Sequence, residues 1–217
     1  MTHSEENYIK AIFHLGLEGV GVISTNALAE RMETKPSSVT DMMRRLSEKG
    51  LVNYKKYQGV SLTDLGTKMA LSIIRKHRLW EVFLVEKLDF NWDEVHEIAE
   101  QLEHIESEKL IDKLDELLNY PKFDPHGDPI PGKNGEFLER DNLLLSQLSI
   151  GSTGICVGVK DSSAVFLRFL DKNKIALGNE IKILDKEEFD NSLHILVDQR
   201  ELHLSQQIAN NLYVKKI

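Results

Sequence analysis

A chain of 217 residues with 41% hydrophobic content and ordinary glycine and proline usage is expected to fold into one large or two to three small domains. Its single cysteine, Cys156, excludes an internal disulfide framework and fits a reducing cytoplasm; the opening MTHSEENYIKAIF is no signal peptide, and no apolar run is long enough to span a membrane. The formal net charge of −8 argues against nucleic acid until it is divided: residues 1–65 hold 8 basic and 8 acidic side chains, so the acidic excess lies wholly in residues 66–217.

Residues 5–17 read as a helix with Tyr8, Ile9, Ile12, Phe13 and Leu15 as its apolar stripe, ended by the glycines at 16, 19 and 21. A second helix over residues 24–32 takes Ser24 or Thr25 as N-cap and turns Ala27, Leu28 and Met32 inward. After the polar break Glu33-Thr34-Lys35, Pro36 opens a helix over residues 37–49. Its buried stripe is Val39, Met42, Met43 and Leu46, and Gly50 follows where a terminating glycine belongs. Residues 51–57 and 60–63 alternate as two short strands about Gln58-Gly59. Two longer helices are expected over residues 64–88 and 92–118. Residues 120–135 then hold four of the five prolines and form a loop, and a short helix is expected over 136–147. From Gly151 five alternating runs (155–159, 164–170, 180–184, 193–197 and 201–204) predict a small β-barrel. The expected fold class is mainly α with a C-terminal β-domain. Its parts are a winged helix-turn-helix over 1–63, a helical domain with a Pro-rich loop over 64–149, and a small barrel over 150–217.

In a winged helix-turn-helix the second helix of the motif enters the major groove and presents its N-terminal residues to base edges. Here those residues are Ser37, Ser38 and Thr40, with Lys35 just before them and Arg44 one turn beyond as a phosphate or guanine contact. Lys55, Lys56 and Tyr57 sit at the wing, within reach of flanking backbone. Between Lys35 and Lys56 six basic residues face two acids, a local +4 that suits phosphate. Asp41 opposes this charge; it either accepts from a cytosine amino group or pairs with Arg44 or Arg45.

The helix expected from residue 92 carries a second pattern. With His96 as zero, Glu100 falls at about 40°, Glu103 at about −20° and His104 at about 80°, while Ile98, Leu102 and Ile105 fall on the opposite side. Two carboxylates and two imidazoles therefore share one face. The preceding helix adds His77 and Glu81, four residues apart. There is no HExxH motif and no oriented Ser or Cys nucleophile, so such a cluster reads as the ligand set of a sensor rather than of an enzyme.

The stretches ENYIKAIF, KPSSVTDMMRRLSEKGLV, RKHRLWEVFL, VHEIAEQLEHIES and DPHGDPIPG, with the C-terminal β-domain, resemble the diphtheria-toxin-repressor family of metal-dependent transcriptional repressors over the full length. The resemblance implies a homodimer on a palindromic double-stranded operator, with residues 64–118 providing the dimer interface. It also implies a last domain like a Src-homology-3 barrel and repression of metal-uptake genes. It implies a primary metal site of Asn7, His77, Glu100, Glu103 and His104. A second site would join Glu81 to Asp124, His126 and Asp161, with His96 an alternative ligand there. A carboxylate at position 100, where iron sensors usually carry cysteine, suits Mn²⁺. Asn7 departs from the Asp of manganese sensors and the Met of iron sensors, and should weaken binding or change selectivity. Mn²⁺ is the expected cofactor and Fe²⁺ the alternative, with Zn²⁺, Co²⁺ or Ni²⁺ substituting in vitro. Two other classes share parts of the pattern: a winged-helix regulator answering to a small organic ligand, and a hydrolytic metalloenzyme.

Overall fold

A computed structural model describes residues 1–17, 22–55, 58–136 and 142–217, which fold as two compact units. The first comprises residues 1–77, 100–112 and 131–137; the second comprises 78–99, 113–130 and 138–217.

The first unit begins with α1 (His3–Leu17), α2 (Thr25–Arg31) and α3 (Pro36–Glu48), followed by the hairpin β1 (Val52–Lys55) and β2 (Gly59–Leu62). Ser24 caps α2 by accepting from the Ala27 amide at 3.1 Å. Pro36 occupies the first turn of α3, where no amide hydrogen bond is lost. Gly50, with φ +69°, supplies the left-handed residue after α3. The strands pair antiparallel from Val52↔Leu62 to Lys55↔Gly59, and Ile23 bridges to Val60. Ile9, Ile12, Leu28, Val39, Met43, Leu46 and Val60 make a core with at most 1% exposure each. This is the winged helix-turn-helix expected from the sequence. Lys56 and Tyr57, placed at the wing by the sequence, lie outside the described residues.

The helix α4 (Asp64–Leu88) has the expected limits. The helix expected over 92–118 does not run through: it divides into α5 (Val95–Leu102) and α6 (Glu108–Leu117). Ser107 supplies the local reason, its Oγ accepting the Leu110 amide at 3.3 Å at the start of α6. Glu103 and His104 therefore sit in a turn beyond the end of α5, not on a helix face.

In the second unit a six-stranded antiparallel sheet has the order β3-β8-β4-β5-β6-β7. Its strands are β3 (Leu143–Leu144), β4 (Thr153–Val159), β5 (Glu180–Lys186), β6 (Leu193–Val197), β7 (Arg200–Leu204) and β8 (Leu212–Lys216). The run at 164–170, expected as a strand, is the helix α7 (Ala164–Lys172). Ser163 caps it, and Leu167 and Leu170, three residues apart, are its buried pair. A short α8 (Gln206–Ala209) precedes β8. The helix expected over 136–147 falls partly outside the described residues; Leu145–Gln147 form a single 3₁₀ turn. Leu167, Ile181, Ile183, Ile195, Val197 and Val214, each fully buried or nearly so, form this unit's core. Cys156 lies in it, and burial pushes its thiol up to about 11, so it is chemically quiet.

Candidate metal centres and DNA-reading helix

Spacings of three and four residues place Glu6, Asn7 and Lys10 near one another on α1. The turn after α5 brings Glu103 and His104 to them, and α4 brings His77. Glu103 has no exposed surface. Lys10 Nζ donates to its two oxygens at 2.7 and 2.8 Å and to Glu100 Oε1 at 3.4 Å. His77 Nδ1 lies 2.6 Å from Glu103 Oε2. Burial alone pushes the Glu103 carboxyl up, but the His77 hydrogen bond and the Lys10 charge outweigh it and hold the group below the ordinary carboxylate range. Glu6 Oε2 sits 2.5 Å from His104 Nδ1, which commits that nitrogen and makes Nε2 the candidate ligand atom. The ring of His3 stacks on His104 at 4.1 Å.

Among the described residues, nothing hydrogen-bonds to the buried Asn7 Oδ1. An acceptor in that condition costs about 1–3 kcal/mol unless a donor or a cation meets it. Two imidazoles, two carboxylates and an amide oxygen make a mixed nitrogen and oxygen set, suited to a hard or borderline divalent ion. The residues present fit such an ion, and an ammonium group is already drawn to the carboxylates. The structure joins Glu100, Glu103 and His77 through Lys10 and direct contact, and ties His104 to Glu6, the neighbour of Asn7 on α1, so the five residues expected as a primary site lie along one set of contacts. It adds Glu6 and Lys10, which sequence reasoning missed. Their i,i+4 spacing about Asn7 was the available signal.

A second cluster lies in the other unit. Glu81, Asp124 and His126 are buried, and one ligand atom from each lies within 4.8 Å of the other two. His126 Nδ1 is 3.6 Å from Glu81 Oε2, and its Nε2 is 2.8 Å from the Trp92 carbonyl oxygen. Asp124 Oδ1 accepts the amides of His126 and Asp128 at 2.8 and 2.9 Å, and Oδ2 is 3.4 Å from Arg78 Nε. Arg78 also donates to the Pro129 carbonyl oxygen and lies 3.3 Å from Asp128. Burial first, then the charge of Glu81, pushes the Asp124 carboxyl up to about 7. His126 is raised because its contacts with Glu81 overcome its burial. His96 Nδ1 lies 3.3 Å from Glu81 Oε1, on a more exposed side. Asp161 is not drawn into this group; its Oδ1 accepts the Ser163 amide at 2.8 Å. Arg78, buried between the acids, was not anticipated.

On α3, Ser37 and Ser38 are exposed at the N-terminal turn and Lys35 precedes them as the N-cap residue. Thr40 Oγ1 donates to the Pro36 carbonyl oxygen at 3.0 Å, so its hydroxyl proton is committed within the helix. Arg44 Nη1 is 3.6 Å from Asp41 Oδ1, which settles the partner of Asp41 in the free protein. Both side chains are more than half exposed, so the pair is weak and opens readily to phosphate. Lys55 is exposed at the end of β1. At the far end of α3, Lys49 Nζ donates to Glu5 at 2.6 and 2.8 Å, joining the reading helix to α1.

Residues 1–60 match the family model described as iron dependent repressor, N-terminal DNA binding domain, and residues 63–132 match iron dependent repressor, metal binding and dimerisation domain. Residues 143–216 match the FeoA domain. The iron-dependent repressor IdeR of Mycobacterium leprae is 36% identical over 132 residues, which are 61% of this chain and 57% of that protein. The HTH-type transcriptional regulator MntR of Oceanobacillus iheyensis is 37% identical over 57% of this chain and 82% of its own length. A solved manganese-dependent transcriptional repressor in complex with manganese superposes with a TM-score of 0.89 at 34% identity, covering 98% of this chain and 100% of that one. The chain belongs to the diphtheria-toxin-repressor family of metal-dependent transcriptional repressors.

Proposed function

We propose that this protein is a cytoplasmic repressor that binds a palindromic operator as a homodimer when a divalent cation fills the place formed by Asn7, His77, Glu100, Glu103 and His104. Mn²⁺ is the preferred ion and metal-uptake genes are the targets. The observation that carries the reading is the buried, unpartnered Asn7 oxygen beside a carboxylate and imidazole cluster. Glu100 supports manganese, as an oxygen ligand where a thiolate would favour softer ions. Similarity to iron-dependent repressors keeps Fe²⁺ as the second reading.

When bound, the ion supplies a double positive charge that neutralises Glu100 and Glu103 and lets them share one centre with the α1 residue Asn7. The chain's own residues do the rest. Glu6 fixes the His104 ring, and His77 holds Glu103 in place. Glu5, two residues before Asn7 on the other side of α1, grips Lys49 at the end of α3, so the position of α1 is passed to the reading helix. Ser37, Ser38 and Arg44 then meet the major groove, with Lys35 and Lys55 on phosphate. Moving such an equilibrium from mostly inactive to mostly active requires roughly 5 kcal/mol of differential binding. The second cluster, Glu81, Asp124 and His126, is proposed as an additional metal site, with His96 beside it.

Fluorescence anisotropy on a pool of labelled palindromic promoter DNA tests this, with EDTA and then Mn²⁺, anaerobic Fe²⁺ or Zn²⁺. The reading expects binding only with metal. Equal binding in EDTA would favour a regulator of another kind.

A further inference from the structure

We infer that Lys10 is a tethered competitor for the divalent ion, and that displacing it sets the metal concentration at which the protein responds. The inference rests on the reading that Glu100, Glu103 and their neighbours hold that ion.

Lys10 Nζ bridges both oxygens of Glu103, at 2.7 and 2.8 Å, and reaches Glu100 at 3.4 Å. That is a place a cation on these carboxylates would take. The Lys10 side chain is 13% exposed and that of Glu103 fully buried, so the contact is shielded from water and salt. An ammonium cannot remain against these oxygens once a divalent ion shares them, because like charges a few ångströms apart repel strongly at low dielectric. The four-carbon stem lets Nζ swing toward solvent, where an ammonium is well hydrated. Because the competitor is part of the chain, its effective concentration is fixed by its reach and is unaffected by dilution.

Lys10 also does only part of the ion's work. It balances the charge of Glu103 and Glu100 but leaves Asn7 Oδ1 without a partner. The metal-free site is thus electrically compensated while its amide ligand stays unsatisfied. A second cation alongside Lys10 would meet its charge, so the site takes a single divalent ion in place of the ammonium.

Mn²⁺ binding can be read from the loss of the free-ion electron paramagnetic resonance signal, for a full-chain H126A parent, which sets the second cluster aside, and for K10Q, K10M, K10R and E103Q in that parent. The apo melting midpoint of each variant shows whether it is folded. Hydrogen bonds to charged groups contribute about 1.5–3 kcal/mol, so K10Q and K10M should bind Mn²⁺ about tenfold more tightly or better. K10R keeps the charge and should stay within about threefold of the parent. Both uncharged variants should also melt lower without metal and gain more from Mn²⁺. Folded K10Q and K10M with unchanged or weaker Mn²⁺ affinity would overturn the role of Lys10 while leaving the site intact. E103Q binding Mn²⁺ as well as the parent would overturn the site itself, and the inference with it.

Discussion

Replacing Glu103 with glutamine keeps the side chain's volume and removes its charge. The carboxylate is fully buried between Lys10 Nζ, at 2.7 and 2.8 Å, and His77 Nδ1, at 2.6 Å. Breaking a buried ion pair by removing one partner costs about 3–5 kcal/mol. Glu100 offsets part of this: its Oε1 already lies 3.4 Å from Lys10 and its side chain is 47% exposed, so it can move to the ammonium. A loss of about 2–3 kcal/mol in the metal-free protein follows, or roughly 4–12 °C in the melting midpoint at fixed protein concentration. Urea unfolding of the EDTA-treated protein measures it. Since the Glu103 carboxyl is held below its ordinary 4.5, its contribution is fully present above that pH and is lost as pH falls through the lower folded value. The difference between parent and E103Q should therefore shrink in acid. E100Q, altering the exposed partner, should cost under about 1 kcal/mol. An E103Q protein as stable as the parent, or more so, would refute the pairing and show that desolvation of the carboxylate outweighs its partners.

The second cluster predicts the opposite pH trend. Asp124 is raised from 3.8 to about 7, and His126 is raised as well, so their contribution is present in acid and lost as pH rises through the folded values. Metal-free protein should melt higher at pH 6 than at pH 8, and D124N should remove most of that slope; a slope unchanged in D124N would contradict it. At Gly127, with φ +83°, an alanine Cβ would stand 2.1 Å from the Val157 carbonyl oxygen and 2.5 Å from Gly158 Cα. G127A should cost about 2 kcal/mol or more and abolish metal binding by the neighbouring Asp124 and His126, as calorimetry in an E103Q background would show. On the reading helix, R44A should weaken operator binding by about 1–3 kcal/mol, and K35A should lower the salt slope of binding by about one unit. An R44A protein with parental affinity would remove Arg44 from the interface.

The DNA-reading unit was legible because local signals agreed. Ser24, Pro36 and Gly50 mark helix ends, and Val39, Met43 and Leu46 repeat on one face. The proposed metal cluster was read on a partly mistaken basis. The helical wheel put Glu100, Glu103 and His104 on one face, but the helix ends at Leu102 and long-range partners on α1 and α4 place the last two. Lys10 and Glu6 were missed because a charged residue on a helix usually faces solvent, and no local pattern reveals a partner some 90 residues away. The α7 error has a similar source. AVFLRFL is rich in β-branched and aromatic side chains, and only the Ser163 cap and the Leu167–Leu170 spacing betray the helix. The closing strand β8 was overlooked because its pattern fades into Lys215 and Lys216.

Anomalous diffraction at the manganese edge, on crystals of the full chain grown with Mn²⁺, tests the central claim most directly. The account predicts a peak within coordination distance of Asn7 Oδ1, Glu103 and His104, with Lys10 Nζ moved off the carboxylates. A peak confined to Glu81, Asp124 and His126, with Lys10 still on Glu103, would contradict it.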